Sequence, residues 1–224
     1  MLRLIASTLP IAIAAPVKAC QLALSLALDV SASVDSKEFL FQANGLANAL
    51  LSERVSSAIL AIPELPVALH VYQWSGRRNQ LTVLDWTMLE TQSDIVQAAE
   101  TLRTMRRSAR DFPTSLGYGL GYGAVALSKA PNCLRKTLDV SGDGQNNHGF
   151  GPAEAYRHFR FDGVTVNGLA IGGHDPQIVE YYLTEVIHGP GAFVEIARDY
   201  SDFERAMTRK LEREIGTMSL SRMR

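Results

Sequence analysis

The chain has 224 residues, 46% of them hydrophobic and 20% charged, with a formal net charge of −1. That size and apolar content suit one globular domain with a full core. The near-neutral balance lacks the basic footprint of a nucleic-acid-binding protein, so no nucleic-acid partner is expected.

Residues 1–19 stand apart from the rest of the chain. Met1-Leu2-Arg3 gives a short basic start, residues 4–17 are almost all apolar, and Val17-Lys18-Ala19 is a small-residue type of cleavage site. This pattern is that of a secretory signal peptide. The apolar run contains Pro10 and is short for a span, which needs about 20 residues; the rival is an uncleaved anchor. An exported protein, periplasmic or extracellular, with no membrane span after cleavage is therefore expected, its domain covering 20–219 and a tail 220–224.

Leu22 to Leu28 is a short run of apolar and small residues that breaks into Asp29, Ser31 and Ser33. Such a run reads as a strand buried on both faces, the pattern of a central parallel strand. The polar set then sits at its carboxyl end, where open α/β sheets bind ligands. A carboxylate and two hydroxyls at alternate positions are hard oxygen donors, suited to Mg²⁺, Mn²⁺ or Ca²⁺. Asp35 and Glu38 are spaced as a capping box, followed by Phe39, Ala43, Leu46 and Leu50 at helical spacing. A second helical piece is expected over 54–62, before Pro63. Residues 67–74 carry bulky side chains on both faces, as a central strand does, and Gly76-Arg77-Arg78-Asn79 reads as a hairpin turn into an antiparallel edge strand over 81–86. Ser93-Asp94 can cap a helix bearing Ile95, Ala98, Leu102 and Met105. The loop 106–113, with Arg106, Arg107 and Arg110, is either solvated or a basic rim. A helix over 115–130 contains Gly117, Gly119, Gly121 and Gly123, each costing about 1 kcal/mol against Ala; such small residues allow close packing on a sheet. Strands are expected over 134–140, 164–171 and 192–197, and helices over 152–161, 177–187 and 202–215. The alternation, with one hairpin, predicts a doubly wound, mostly parallel six-stranded α/β sheet with one antiparallel edge strand and helices on both faces.

Asp29-Val30-Ser31-Ala32-Ser33 resembles the D-x-S-x-S motif of the metal-ion-dependent adhesion site of von Willebrand factor type A domains. That family completes its site with a Thr from a second loop and an Asp from a third. Thr114, in Phe-Pro-Thr-Ser-Leu, and Asp143, in Ser-Gly-Asp-Gly, stand in that order and context. Two departures are visible: Pro113 replaces a Gly-rich lead-in, with Ser115 as a substitute ligand for Thr114, and Ser-Gly-Asp-Gly replaces the usual Thr-Asp-Gly. The resemblance implies a divalent cation, Mg²⁺ with Mn²⁺ or Ca²⁺ as alternatives, held by Ser31, Ser33 and Thr114 directly and by Asp29 and Asp143 directly or through water. It also implies an open position for a carboxylate of a partner protein. Gln145, Asn146 and His148 follow the Asp143 loop as a rim or an exposed turn. Within that class the sequence is similar to a bacterial family of exported single-domain proteins, through Cys before Leu-Ala-Leu, Asp-Val-Ser-x-Ser-Val-Asp and Asp-Val-Ser-Gly-Asp-Gly with Asn-Asn after it.

Two cysteines are present, Cys20 and Cys133. If Asp29 and Asp143 end neighbouring parallel strands, both cysteines begin those strands, and a separation of about 4.8 Å allows a disulfide. The rival is lipidation of Cys20, since Val-Lys-Ala-Cys loosely resembles a lipoprotein processing site. None of the histidines has zinc-ligand spacing. Gly119-Leu-Gly-Tyr-Gly-Ala follows no strand, so it is not a dinucleotide fingerprint. A phosphatase of the D-x-D type would need an acid where Ser31 stands, and the G-x-S-x-G of a serine hydrolase is absent. A binding module, not an enzyme, is expected; the alternatives are a structural secreted domain with a degenerate metal site and, behind it, a Mg²⁺-dependent phosphohydrolase. Asp139, an acid inside an apolar strand, needs a buried partner or stands behind the metal.

Overall fold

The computed structural model describes residues 19–172 and 175–221, with side chains through 216. The expected signal peptide (save Ala19) and the last three residues lie outside the described residues.

The sheet has six strands: β1 (Cys20–Asp29), β2 (Val67–Trp74), β3 (Gln80–Leu89), β4 (Cys133–Gly142), β5 (Val164–Ile171) and β6 (Val194–Ala197). Their order is β3-β2-β1-β4-β5-β6. Among the described strands only β2 and β3 pair antiparallel. β1 and β2 are buried along their whole length, as continuous apolar runs between two helical layers must be. β3 runs three residues beyond its expected end, because Thr87, Met88 and Leu89 continue to pair with Leu69, Ala68 and Val67.

The helices are α1 (Ser36–Leu51), α2 (Glu53–Leu60), α3 (Gln92–Arg103), α4 (Leu116–Ser128), α5 (Pro152–His158), α6 (Pro176–Tyr181) and α7 (Phe203–Ser221). One core lies under α1, α2, α3 and α7 and takes the even-numbered leucines Leu22 to Leu28 of β1. The other lies under α4, α5 and α6 and takes Ala23 and Ala27 with Tyr72, Trp74 and Leu138. α1 starts with the expected capping box: Asp35 Oδ1 accepts from the amides of Lys37 and Glu38, and Glu38 Oε2 accepts from the Asp35 amide. In α3 the cap is Thr91, not Ser93: Asp94 reaches back to the Thr91 amide as the third helical residue. The glycines of α4 allow close approach. A Cβ on Gly119 would meet the Trp74 ring at 2.9 Å, and one on Gly123 would meet Leu138 at 2.7 Å. The helix expected over 177–187 divides: α6 gives way to a π-helical turn at Tyr182–Val186. Among the described residues no helix is long and apolar enough to cross a membrane.

β1 is hydrogen-bonded to β2 on one side and β4 on the other, and the connections run in opposite directions from it. The crevice at the carboxyl ends of β1 and β4 is thus the switch point of the sheet, where such folds bind ligands. At the opposite end Cys20 pairs with Cys133 in register, and the two form a disulfide with Cα atoms 4.3 Å apart. Of the two alternatives for Cys20, the bridge is the one formed.

Candidate metal centre

Asp29 is the last residue of β1, and the chain turns immediately after it. The Ser31 amide donates to Asp29 Oδ1 at 2.7 Å, the side-chain-to-backbone bond that makes such turns. Gln42 on α1 holds the Asp29 carbonyl at 3.1 Å. The guanidinium of Arg107 donates to the carbonyls of Ser31 at 2.8 Å and Val30 at 3.3 Å. Arg107 therefore fastens the turn from behind; it is neither a free solvated side chain nor part of a rim.

The second loop arrives beside the first. The Ala32 amide donates to the Phe112 carbonyl at 2.8 Å, and the Ser115 amide to the carbonyl of Ser75, just past the end of β2, at 3.0 Å. Thr114, with 4% exposure, donates through Oγ1 to Ser31 Oγ at 3.2 Å. Ser115 is buried too, but its hydroxyl lies 3.1 Å from His148 Nδ1. Of the two neighbouring hydroxyls, Thr114 is the one that joins Ser31.

The third loop leaves β4 with Asp143, whose Oδ1 accepts from Ser33 Oγ at 2.7 Å. Ser31 Oγ and Ser33 Oγ are 3.2 Å apart. All five residues singled out as metal ligands thus converge: Thr114, Ser31, Ser33 and Asp143 form one chain of oxygens, and Asp29 lies beneath Ser31. The segment after Asp143 ties loops together. Asn147 Oδ1 accepts from the Thr114 amide at 2.9 Å, and Asn146 Oδ1 from the Leu116 amide at 2.8 Å. With His148 against Ser115, Asn146 and Asn147 lock the second loop to the third. Gln145 is exposed beside the site.

The pocket is acidic and buried, with Arg107 and the Ser31 hydrogen bonds only partly offsetting the burial of Asp29. Burial, and then the Asp143 carboxylate, push Asp29 up to about 7. Burial also raises Asp143, against the Ser33 hydroxyl that favours its charge. Asp29 Oδ2 is buried with no hydrogen-bond partner among the described residues. A buried carboxylate oxygen left unpaired is costly, and a cation is its natural complement. The donor set fits a hard divalent ion: two carboxylates balance its charge and three hydroxyls add neutral ligands. Adjacent ligands of an octahedral ion at about 2.1 Å stand about 3 Å apart, close to the 2.7–3.2 Å between these oxygens. Hydroxyls that bond one another at such distances can turn to a cation with little movement. Among the described residues no three His, Cys, Asp or Glu side chains cluster, so the only acids in the set are the two aspartates.

Two further residues belong here that the sequence did not point to. The Tyr182 hydroxyl is buried with no hydrogen-bond partner among the described residues, and the Tyr200 hydroxyl is buried beside the Asp143 carboxylate, whose charge it favours. Of the charged groups around them, Asp29 acts most strongly on Tyr182 and Asp143 on Tyr200. Nothing in helical periodicity distinguishes Tyr182 from an ordinary core aromatic.

Solved structures share this architecture. Proximal thread matrix protein 1 (PTMP1) of the mussel byssus superposes with a TM-score of 0.64 at 17% identity, covering 88% of this chain and 48% of that one. A further structure of PTMP1 is described as having a zinc-occupied MIDAS motif, the metal-ion-dependent adhesion site. A von Willebrand factor type A protein from Catenulispora acidiphila gives 0.61 at 15% identity, covering 88% and 43%. The pilus adhesin SpaC from Lactobacillus rhamnosus GG gives 0.63 at 14%, covering 88% and 31%. This chain spans about half the length of PTMP1 and less of the other two. At these identities the likeness establishes the fold, which is that of the von Willebrand factor type A domain. No curated protein matches the chain in sequence. A family described as protein of unknown function (DUF1194) matches residues 19–219, and the chain belongs to that family.

Proposed function

We propose that the protein is an exported type A domain that binds a divalent cation and, through it, a carboxylate of a partner protein. Asp29, Ser31, Ser33, Thr114 and Asp143 hold the ion, with Mg²⁺ the first choice and Mn²⁺ or Ca²⁺ as substitutes. The observation that carries this is the chain of oxygens from Thr114 through Ser31 and Ser33 to Asp143, next to a buried Asp29 carboxylate whose Oδ2 has no hydrogen-bond partner among the described residues. Five protein residues do not exhaust the coordination of an ion that keeps waters, which leaves room for an outside carboxylate. The ion supplies a fixed positive charge at the surface; the chain supplies its orientation. The zinc-occupied motif of PTMP1 and the adhesin SpaC support a binding role over a catalytic one. Export is supported by the signal-like residues 1–19 and by a disulfide of the kind that persists in oxidising compartments.

Isothermal titration of the protein lacking residues 1–19 with Mg²⁺ and Mn²⁺ tests the reading, with thermal melts in EDTA beside it. A ligand at 100 times its dissociation constant adds about 2.7 kcal/mol of stability. Binding by the wild type that is lost in Asp29→Ala is the expected result. Heat and melting curves that ignore every ion would leave a structural domain with a degenerate site.

A further inference from the structure

β4 ends in Gly142, at the point where the sequence departs from the Thr-Asp-Gly pattern of its class. The space beside this glycine is specific. A Cβ there would stand 2.6 Å from the Tyr182 hydroxyl and 2.9 Å from Asp29 Oδ2. Both oxygens therefore flank one spot, and any side chain at 142 would displace them. Gly168 does the same one strand away: a Cβ on it would meet the Tyr182 ring at 2.6 Å. Two glycines on adjacent strands thus shape a slot for this tyrosine, and the π-helical turn that begins at Tyr182 delivers the side chain into it. π turns within helices are frequent at functional sites.

The slot leads to the metal centre. Tyr182 is fully buried, and its hydroxyl and Asp29 Oδ2 both lack hydrogen-bond partners among the described residues. One is a donor and the other an acceptor. Burial raises the phenol well above its ordinary value, so it keeps its proton. A purely structural role would be served as well by phenylalanine, which would not bury an unpaired hydroxyl at a cost of about 1–3 kcal/mol. We propose that Tyr182 is a positioning residue for the metal centre: Gly142 gives up its side chain so that the Tyr182 hydroxyl can take Asp29 Oδ2 as its acceptor and set the carboxylate for the cation. This role rests on the proposed cation binding. The Ser31 amide already fixes Oδ1, so a donor on Oδ2 would hold the carboxylate from both sides, while each oxygen keeps a second lone pair for the cation or its water. Ligands of a metal are commonly oriented by such outer hydrogen bonds, whose loss costs about 10–100-fold in affinity.

The test is titration of wild type, Tyr182→Phe and Tyr122→Phe with Mn²⁺, together with tyrosine difference absorbance on adding Mg²⁺. Tyr122 is the control, since its hydroxyl bonds Thr82 on the edge strand. The expected result is Mn²⁺ binding weakened about tenfold or more in Tyr182→Phe and unchanged in Tyr122→Phe. A Mg²⁺-induced tyrosine signal should be present in wild type, unchanged in Tyr122→Phe and reduced in Tyr182→Phe to the part that Tyr200 contributes beside Asp143. Phenylalanine keeps the ring in its slot and removes an unpaired buried hydroxyl, so the metal-free melting temperature does not fall below that of wild type. Wild type that binds Mn²⁺ and a Tyr182→Phe that binds it equally well overturn the inference alone. Wild type that binds no Mn²⁺ overturns the cation reading and this inference with it.

Discussion

The Lys210 ammonium lies 3.2 Å from Asp139 Oδ1 and 2.8 Å from Glu214 Oε1, with the Lys210 and Asp139 side chains 0% and 1% exposed. Lys210 is the partner that an acid inside an apolar strand requires, and it comes from α7, on the face of the sheet that carries α1. Asn167 donates to Glu214 Oε1 at 2.6 Å, and Arg135 to the Glu214 carbonyl. Removing one member of a buried ion pair strands the other, at about 3–5 kcal/mol. Lys210→Met should therefore lower the unfolding free energy by that amount in urea titrations. A loss under about 1 kcal/mol would mean that the cluster relaxes or hydrates when the lysine is gone.

One ammonium faces two carboxylates in this cluster, and burial pushes Asp139 up to about 8, with Glu214 adding to the rise and Lys210 opposing it. The ordinary carboxylate value is near 4. Between these two values the folded protein holds a proton that the unfolded chain has released, so this group makes stability fall as pH rises across that window. Asp139→Asn should flatten the decline in urea midpoint between about pH 5 and 8. Parallel profiles for wild type and variant would place the protonation elsewhere.

The disulfide ties residues 113 apart in sequence across the start of β1 and β4. In the chain-entropy model a loop of that length is worth about 4–5 kcal/mol through the unfolded state. Replacing Cys20 and Cys133 together by alanine should cost most of that, and reductant should destabilise the wild type alone. Equal denaturation curves with and without reductant would show that the bridge adds little.

The strands that build the candidate site are legible in the sequence because each is a short apolar run ending in acids and hydroxyls, and burial on both faces leaves that pattern few other readings. The bridge is legible for a related reason: Cys20 and Cys133 precede Asp29 and Asp143 by nearly equal stretches. Lys210 escapes the sequence reading, although a signal exists. Phe203, Met207, Lys210 and Glu214 recur at helical spacing, so the lysine stands in a core-facing row, where only a buried acid can accommodate it. Asn146 and Asn147 read as rim or turn because side-chain bonds between loops leave no trace in local pattern. The π-helical turn at Tyr182 is invisible too, since a shift in hydrogen-bond register does not change which residues are apolar.

Gly142 and Tyr182 should be coupled in stability even without metal. Gly142→Ala places a methyl group 2.6 Å from the tyrosine hydroxyl and 2.9 Å from Asp29 Oδ2, so both must move. Overpacking of this kind costs about 1–3 kcal/mol. Tyr182→Phe removes one of the two obstructing oxygens and should not destabilise alone, because that hydroxyl has no partner to lose among the described residues. The double variant should then recover part of the loss, with a non-additivity of about 1 kcal/mol. Urea unfolding of the four proteins in EDTA measures it. Strictly additive costs would mean that the alanine methyl is relieved by movement of the β4 backbone, leaving the tyrosine where it is.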